Sequence, residues 1–367
     1  MYRIPLIRPV ITDALKARVS AVLDSGFLTE GPVTRAFEAA VSTYLGGGHV
    51  HAVTSATTGL ELALRALGVG PDDEVVVPDF TYPATADVVM ILKATAVVVD
   101  VNRDTMVMDL DALEAALTPR TKVVMPVSAF GNPVDYHRLN ALKSRYGFLV
   151  VEDAAPALGA RYRGIPVGRL ADITVFSLHP RKFITTGEGG LVVTDNSSWA
   201  DWMNSYKHFG MAVGENGLLP RFERVGTNYK LSDILSAVGL AQMEMIDGLL
   251  QRRLDLARQY EEMLRDVPGI QLSHTTEGGL HSRQSFCVFV ENRDSVLKRM
   301  RGLGIEVQIG TFALHREPAF QPGPNLRWSG DFVGSRRAFH QCLALPLYHA
   351  MTSADQEAVV AELKASI

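Results

Sequence analysis

The sequence predicts an α/β fold in which a mostly parallel sheet lies between helices, followed by a smaller α+β unit. Three observations carry that reading. Between Val50 and Val193, short β-branched runs alternate with amphipathic stretches in the rhythm of βαβ units. The runs are continuously apolar, as strands covered by helices on both faces require. Beyond Gly248 the rhythm gives way to scattered strands and helices.

In chain order, His51-Ala52-Val53 predicts a strand and Leu60 to Leu67 a helix, with the hydroxyl-rich Ser55-Ala56-Thr57-Thr58-Gly59 between them. Glu74 to Val77, Ala96 to Val99, Lys122 to Met125, Phe148 to Val151 and Ile173 to Phe176 read as further strands. Ala84 to Leu92, Leu110 to Leu117 and Tyr136 to Tyr146 read as the intervening helices. The loops after the strands carry Asp79, Asp100, Gly131 and Asp153, and ligands of open α/β sheets collect beyond the strands' carboxyl ends. An unbroken apolar period from Ser232 to Leu264 predicts one long helix. Ser285 to Val290 reads as a strand, Ser295 to Leu303 as a helix, and Ser353 to Ser366 as a terminal helix capped by Ser353. Glu317 to Trp328, rich in Pro and Gly, reads as an ordered loop. The expected division is 1–247 for the large unit and 248–367 for the small one, with the N-terminal residues 1–30 packing near the latter.

Composition narrows the partners. The 367 residues carry a formal net charge of −4 with no basic run, so no nucleic acid polymer is expected. The two cysteines, Cys287 and Cys342, sit in apolar strand-like contexts that suit buried thiols in a reducing compartment, and hence a cytoplasmic protein. No apolar run is long enough for a signal peptide or membrane span, so no membrane contact is expected.

The most informative stretch is Ser177 to Gly190, which places Lys182 on a turn between an apolar strand and a glycine-bearing loop. A lysine amine condenses with an aldehyde only when unprotonated, so it needs burial or neighbouring positive charge, and Arg181 and His179 adjoin it. Four further features answer the needs of one cofactor, pyridoxal 5′-phosphate. Asp153 ends an apolar run, where its carboxylate would face the ring nitrogen. The Ser55–Gly59 segment precedes a helix, where free N–H groups suit a phosphate. Tyr82, in Pro78 to Thr85, offers a face for an aromatic ring. The turn Gly226 to Asp233 supplies Asn228 and Lys230 as donors to an anion, and Ser177 adds a hydroxyl. Alone, each has a plainer reading as a cap, turn or core residue. Their order and their placement on strand ends favour the joint reading; no metal is called for.

These residues make the chain resemble the DegT/DnrJ/EryC1/StrS family, sugar aminotransferases of the aspartate aminotransferase fold (fold type I). The resemblance runs over nearly the whole length. The family's lysine motif appears as Ser177 to Gly190 with Leu178 in place of Phe, its Glu-Asp-Ala-Ala as Glu152 to Ala155, and its Pro-x-x-Thr-aromatic-x-Ala-Thr as Pro78 to Thr85. Gly26 to Pro32 and Leu345 to Tyr348 also match family segments. The resemblance implies that Lys182 holds the cofactor, Asp153 its ring nitrogen, Tyr82 its ring face, and Ala56, Thr57 and Ser177 its phosphate. It implies that Asn228 reaches the phosphate of a neighbouring subunit, hence a homodimer with shared sites. It also implies amino transfer from an amino acid, L-glutamate, to a nucleotide-linked 4-keto or 3-keto deoxyhexose. A keto-cyclitol acceptor is the nearest variation. A sugar dehydratase or a non-catalytic regulatory homologue are the rivals, the first disfavoured by Lys182 and the second by the intact ligand set.

Three departures stand out: Pro156 where a His or Gln is common, Ala56 for Gly, and Lys230 for Arg. Substrate choice is expected in the loops Gly210–Val225 and Thr311–Trp328, with His315 and Arg327 as candidate contacts.

Overall fold

Continuous apolar runs become buried strands in the computed structural model, which describes residues 2–213 and 219–367. Residues 214–218, in the middle of the expected substrate loop Gly210–Val225, lie outside the described residues. The chain opens with helices α1 (Asp13–Ser25) and α2 (Pro32–Leu45), strand β1 (His49–Val53) and helix α3 (Ala56–Ala66). Strands β2 (Glu74–Pro78) and β3 (Phe80–Thr81), helix α4 (Ala84–Ile91), strand β4 (Thr95–Val99) and helix α5 (Leu110–Ala116) follow. Next come β5 (Thr121–Val124), α6 (Tyr136–Tyr146), β6 (Leu149–Asp153), and the short β7 (Arg161–Tyr162) and β8 (Ile165–Pro166). Strands β9 (Ile173–Ser177) and β10 (Gly190–Thr194), helix α7 (Ser197–Lys207), and strands β11 (Met211–Val213) and β12 (Pro220–Phe222) complete the first part.

Eight strands form one sheet in the order β1-β10-β9-β6-β5-β2-β4, with Leu326–Ser329 at the far edge. Strand β10 alone runs against its neighbours; the remaining strands point their carboxyl ends the same way. Successive residues of each strand feed opposite cores. Val75, Val77 and Val151 pack with Leu60 and Val88 on the α3/α4 side, while Val76, Val124 and Val150 pack with Leu139 and Phe148 on the α6 side. Two covered faces explain why the strands show no polar alternation.

After α8 (Asp233–Met243) and α9 (Ile246–Leu264), the chain builds β13 (Ile270–Leu272), β14 (Gly279–Leu280), β15 (Phe286–Val290) and α10 (Arg293–Gly302). It closes with β16 (Gln308–Ile309), β17 (Phe312–Ala313), β18 (Leu326–Ser329), α11 (Val333–Gln341), β19 (Cys342–Leu345) and α12 (Ser353–Lys364). Strands β13, β15, β19 and β16 form an antiparallel sheet whose core includes Leu256, Tyr260, Val288 and Leu343. Ile4 joins that core, and its backbone exchanges hydrogen bonds with Gly304 and Glu306. Two packing units remain a proposal; α9 crosses the boundary drawn between residues 247 and 248.

Three expectations are corrected. The single helix over Ser232–Leu264 is two, broken at Glu244–Met245, where the Met245 N–H turns back to the Gln242 carbonyl at 3.0 Å. Apolar residues stay buried on both sides of the bend, so periodicity alone does not reveal it. The expected loop Glu317–Trp328 ends in β18, which pairs in parallel with β4 and so belongs to the large sheet. Its Pro and Gly residues precede the strand rather than interrupt it. Helix α12 is capped by Thr352, not Ser353, because Asp355 stands three residues after Thr352 and the two close a reciprocal capping box.

Helix α2 has a glycine cap with no side chain, and Asp233 at the start of α8 serves in its place. Its buried carboxylate accepts from the N–H groups of Gly31 (2.8 Å), Val33 (3.2 Å) and Thr34 (2.9 Å), and from Thr34 Oγ1 (2.7 Å). Removing it strands several buried donors at a helix N-terminus. Asp233→Ala is therefore expected to lower the unfolding free energy by about 3 kcal/mol, read from urea denaturation.

Candidate functional site

Parallel strands deliver their following loops to one edge of the sheet, and the residues singled out above meet there. Asp153 ends β6, Ser177 ends β9, Ser55–Thr57 follow β1, and Tyr82 follows β2 and β3. Lys182 lies on the turn between β9 and β10.

Asp153 shares the parity of Val151 and faces α4, where Thr85 Oγ1 donates to its Oδ2 at 2.7 Å. Its Oδ1 accepts from the Ala155 N–H at 3.1 Å. Burial pushes its carboxyl upward, and Thr85, Ala155 and the Lys182 charge pull it back without cancelling the effect. Glu152 faces the opposite core. Ser128 Oγ donates to it at 2.5 Å, and burial pushes its carboxyl up to about 7.

The Lys182 side chain is half-buried, and its amine is pushed below the usual lysine range. Burial is the main cause and Arg181 adds to it, while the Asp153 carboxylate opposes both. His179, expected to assist, is itself pushed down, chiefly by burial. The turn is held from outside by two glutamines that no sequence motif marked. Gln284 Oε1 accepts from the Phe183 N–H at 3.0 Å and its Nε2 donates to the Arg181 carbonyl at 2.6 Å, bracketing Lys182. Gln242 grips Thr185 in the same two-way fashion, at 3.0 and 2.6 Å. An amide side chain, donor and acceptor at once, is suited to such a bracket. Its partners lie far away in sequence, so no local signal marks it.

Beside the lysine turn lies the start of α3. Ser55 caps it by accepting from the Thr58 N–H at 3.1 Å, and the Ala56 and Thr57 N–H groups belong to the first turn, which has no helical acceptor. Gly190 makes the close approach possible, since a Cβ there would stand 2.6–2.7 Å from Ser55 and Ala56 backbone atoms. Gly190 pairs directly with Ser177, whose hydroxyl accepts from the His179 N–H at 3.3 Å. Tyr82 is 65% exposed, with its ring edge-on to Phe312 at 6.1 Å. The Asn228 turn runs along the β1 edge of the sheet, where the Tyr229 carbonyl accepts from the Thr54 N–H at 3.0 Å. Lys230 Nζ donates to Asn228 Oδ1 at 2.7 Å.

The two candidate substrate contacts both have partners within the chain. Arg327 reaches Glu74 at the amino end of β2, at 3.1 Å, and the Ala116 carbonyl, at 3.2 Å, on the edge of the sheet away from Lys182. A buried carboxylate there needs a cation, and Arg327 supplies one. His315 commits its Nδ1 to Asp79 at 2.7 Å.

What the cluster can hold follows from its donors. A buried carboxylate flanked by a lysine amine of lowered basicity, a helix N-terminus with a neighbouring hydroxyl, and an exposed tyrosine face together fit a phosphorylated aromatic aldehyde with a ring nitrogen. The glycine at 190 leaves room for the cradle.

The family model for the DegT/DnrJ/EryC1/StrS aminotransferase family matches residues 9–364. The chain is similar to the aminotransferase TlmJ from Streptoalloteichus hindustanus, at 29% identity over 99% of this chain and 98% of that one, with a TM-score of 0.92. It is similar to the PLP form of the sugar aminotransferase Spr1654 from Streptococcus pneumoniae, at 30% identity over 100% and 98% of the two chains, with a TM-score of 0.92. S. venezuelae DesV, solved with a ketimine intermediate, matches at 31% identity over 100% and 98%, with a TM-score of 0.90.

The opposing charges on Lys182 give a signed expectation. Arg181→Ala should raise the midpoint at which the amine becomes reactive, and Asp153→Asn should lower it. The pH dependence of Lys182 acetylation, followed by peptide mass spectrometry on the cofactor-free protein, reads both.

Proposed function

The chain belongs to the DegT/DnrJ/EryC1/StrS aminotransferase family, and from that premise we propose a pyridoxal-phosphate-dependent transfer of an amino group from L-glutamate to a nucleotide-linked 4-keto or 3-keto deoxyhexose. The observation that carries the reading is the pairing of Lys182, its basicity lowered by burial, with the buried Asp153 at the carboxyl edge of the sheet.

Lys182 would hold the cofactor covalently, and Asp153 would accept the hydrogen of its ring nitrogen. Tyr82 would cover one ring face, and the Ala56 and Thr57 N–H groups with Ser177 Oγ would bind the phosphate. The bound cofactor supplies an electron sink for the pair left behind when a C–H bond beside the transferred nitrogen is broken. Lys182 Nζ would take that proton from the donor α-carbon. In the second half-reaction the same amine would give a proton to the carbon that becomes the sugar's C–NH₂ centre. The sum balances: glutamate leaves as its 2-oxo acid and the ketone leaves as an amine.

Asn228 stands at the sheet edge beside the helix start, and in a homodimer it would serve the phosphate of the second copy. Exposed Phe27, Phe209 and Phe222, at 70%, 50% and 62%, are apolar surface that a second copy would cover. Pro156 adjoins the lysine turn without a side-chain donor, so donor or sugar polar groups must be met by other residues. A keto-cyclitol acceptor fits the same chemistry.

Glutamate alone should convert the cofactor-loaded protein's visible absorbance to that of the amine form, and a matching keto sugar should restore it. Lys182→Ala should retain the fold yet lose turnover by about 10³-fold, as expected when a proton-transfer group is removed. Turnover of keto sugar near the wild-type rate by that variant would overturn the assignment.

A further inference from the structure

We propose that Asp79 is a positioning residue which, through His315 and Ser335, fastens the stretch 79–85 and so sets the face that Tyr82 presents to the cofactor ring. This inference rests on the cofactor reading above and adds residues to it.

Asp79 sits on the turn between β2 and β3 with no exposed surface. Its Oδ1 accepts from the His315 N–H at 2.8 Å, and its Oδ2 accepts from His315 Nδ1 at 2.7 Å and from Ser335 Oγ. Its backbone carbonyl takes the Leu314 N–H at 2.9 Å. A carboxylate can only accept here, so Nδ1 carries the hydrogen. The His315 ring lies flat on Phe332, centroids 5.0 Å apart and 4° from parallel. Taking a carboxylate out of water costs several kcal/mol unless donors replace the water. All three side-chain acceptor contacts come from residues 315 and 335, so the cost is offset only when those distant segments are seated.

What the fastener holds is the ring-facing stretch. Strand β17 pairs with β3, Phe312 opposite Thr81 and Ala313 opposite Phe80, which brings the Phe312 ring edge-on against Tyr82 at 6.1 Å. The next residues lead back to the ring-nitrogen carboxylate: Thr81 Oγ1 and Thr85 Oγ1 share a hydrogen bond of 2.8 Å, and Thr85 donates to Asp153 at 2.7 Å. One seven-residue stretch therefore carries the tyrosine face and the hydroxyl that orients Asp153. Asp79 anchors its first residue.

The test measures pyridoxal phosphate affinity by absorbance titration of the cofactor-free protein, with circular dichroism confirming that each variant is folded. Asp79→Asn and His315→Ala are expected to weaken binding by about tenfold, the loss of a charge-assisted hydrogen bond. His315→Asn, whose amide N–H can stand where Nδ1–H was, should bind within about threefold of wild type. In a Tyr82→Leu background, Asp79→Asn should cost clearly less than it does alone, because the fastener acts through that ring. Wild-type affinity in Asp79→Asn, full additivity with Tyr82→Leu, or equal losses in His315→Asn and His315→Ala would each overturn the fastener. If the wild-type protein itself took up no cofactor, the cofactor reading would fall first. Should Asp79→Asn fail to fold, Ser335→Ala and the His315 pair carry the same comparison.

Discussion

The carboxylate of Asp153 must be satisfied without bulk water, and the site takes its shape from where the partners of that carboxylate can come from. Only the carboxyl end of a central parallel strand brings helix α4, the following backbone and the loop after β9 within reach of one side chain. Thr85, the Ala155 N–H and the Lys182 charge arrive from those three places. Parallel topology is thus a precondition for the site rather than a frame around it.

Lys182 feels a contest among three influences, and burial prevails. Asp153 favours the ammonium form, yet desolvation and Arg181 together hold the amine below its ordinary basicity. A weaker opposing charge would free the amine further but, on the proposed reading, leave the cofactor's ring nitrogen without a partner. The two functions are tied to one carboxylate. Gln284 and Gln242 then remove the remaining freedom by fixing the backbone on both sides of the lysine. Gln284 lies beyond α9, so the lysine turn depends on the later part of the chain being docked.

Legibility in the sequence follows contiguity. Lys182, Asp153, Ser177 and the Ser55–Thr57 segment each stand at the junction of a strand with its loop, and local pattern is enough to find them. The sheet strands were readable for the same reason, since two covered faces leave an unbroken apolar signature. What local pattern cannot carry is pairing over distance. Gln242 and Gln284 look like ordinary polar residues until their backbone partners are seen. Arg327 reads as a candidate substrate contact, whereas its strand carries it to Glu74 at the amino edge of the sheet. His315 is legible as a chemically capable side chain and Asp79 as a residue at a strand's carboxyl end, but their pairing is not, because nothing in either neighbourhood points to the other. The break at Glu244–Met245 escaped for a related reason: apolar spacing records which residues are buried, not whether the axis between them bends.

The central claim is that one amine and one buried carboxylate together grip the cofactor. It is tested most directly by loading the protein with pyridoxal phosphate, reducing it with borohydride and mapping the label by peptide mass spectrometry. The label should fall on the peptide containing Lys182. A stable label confined to any other lysine, with Lys182 unmodified, would contradict the account.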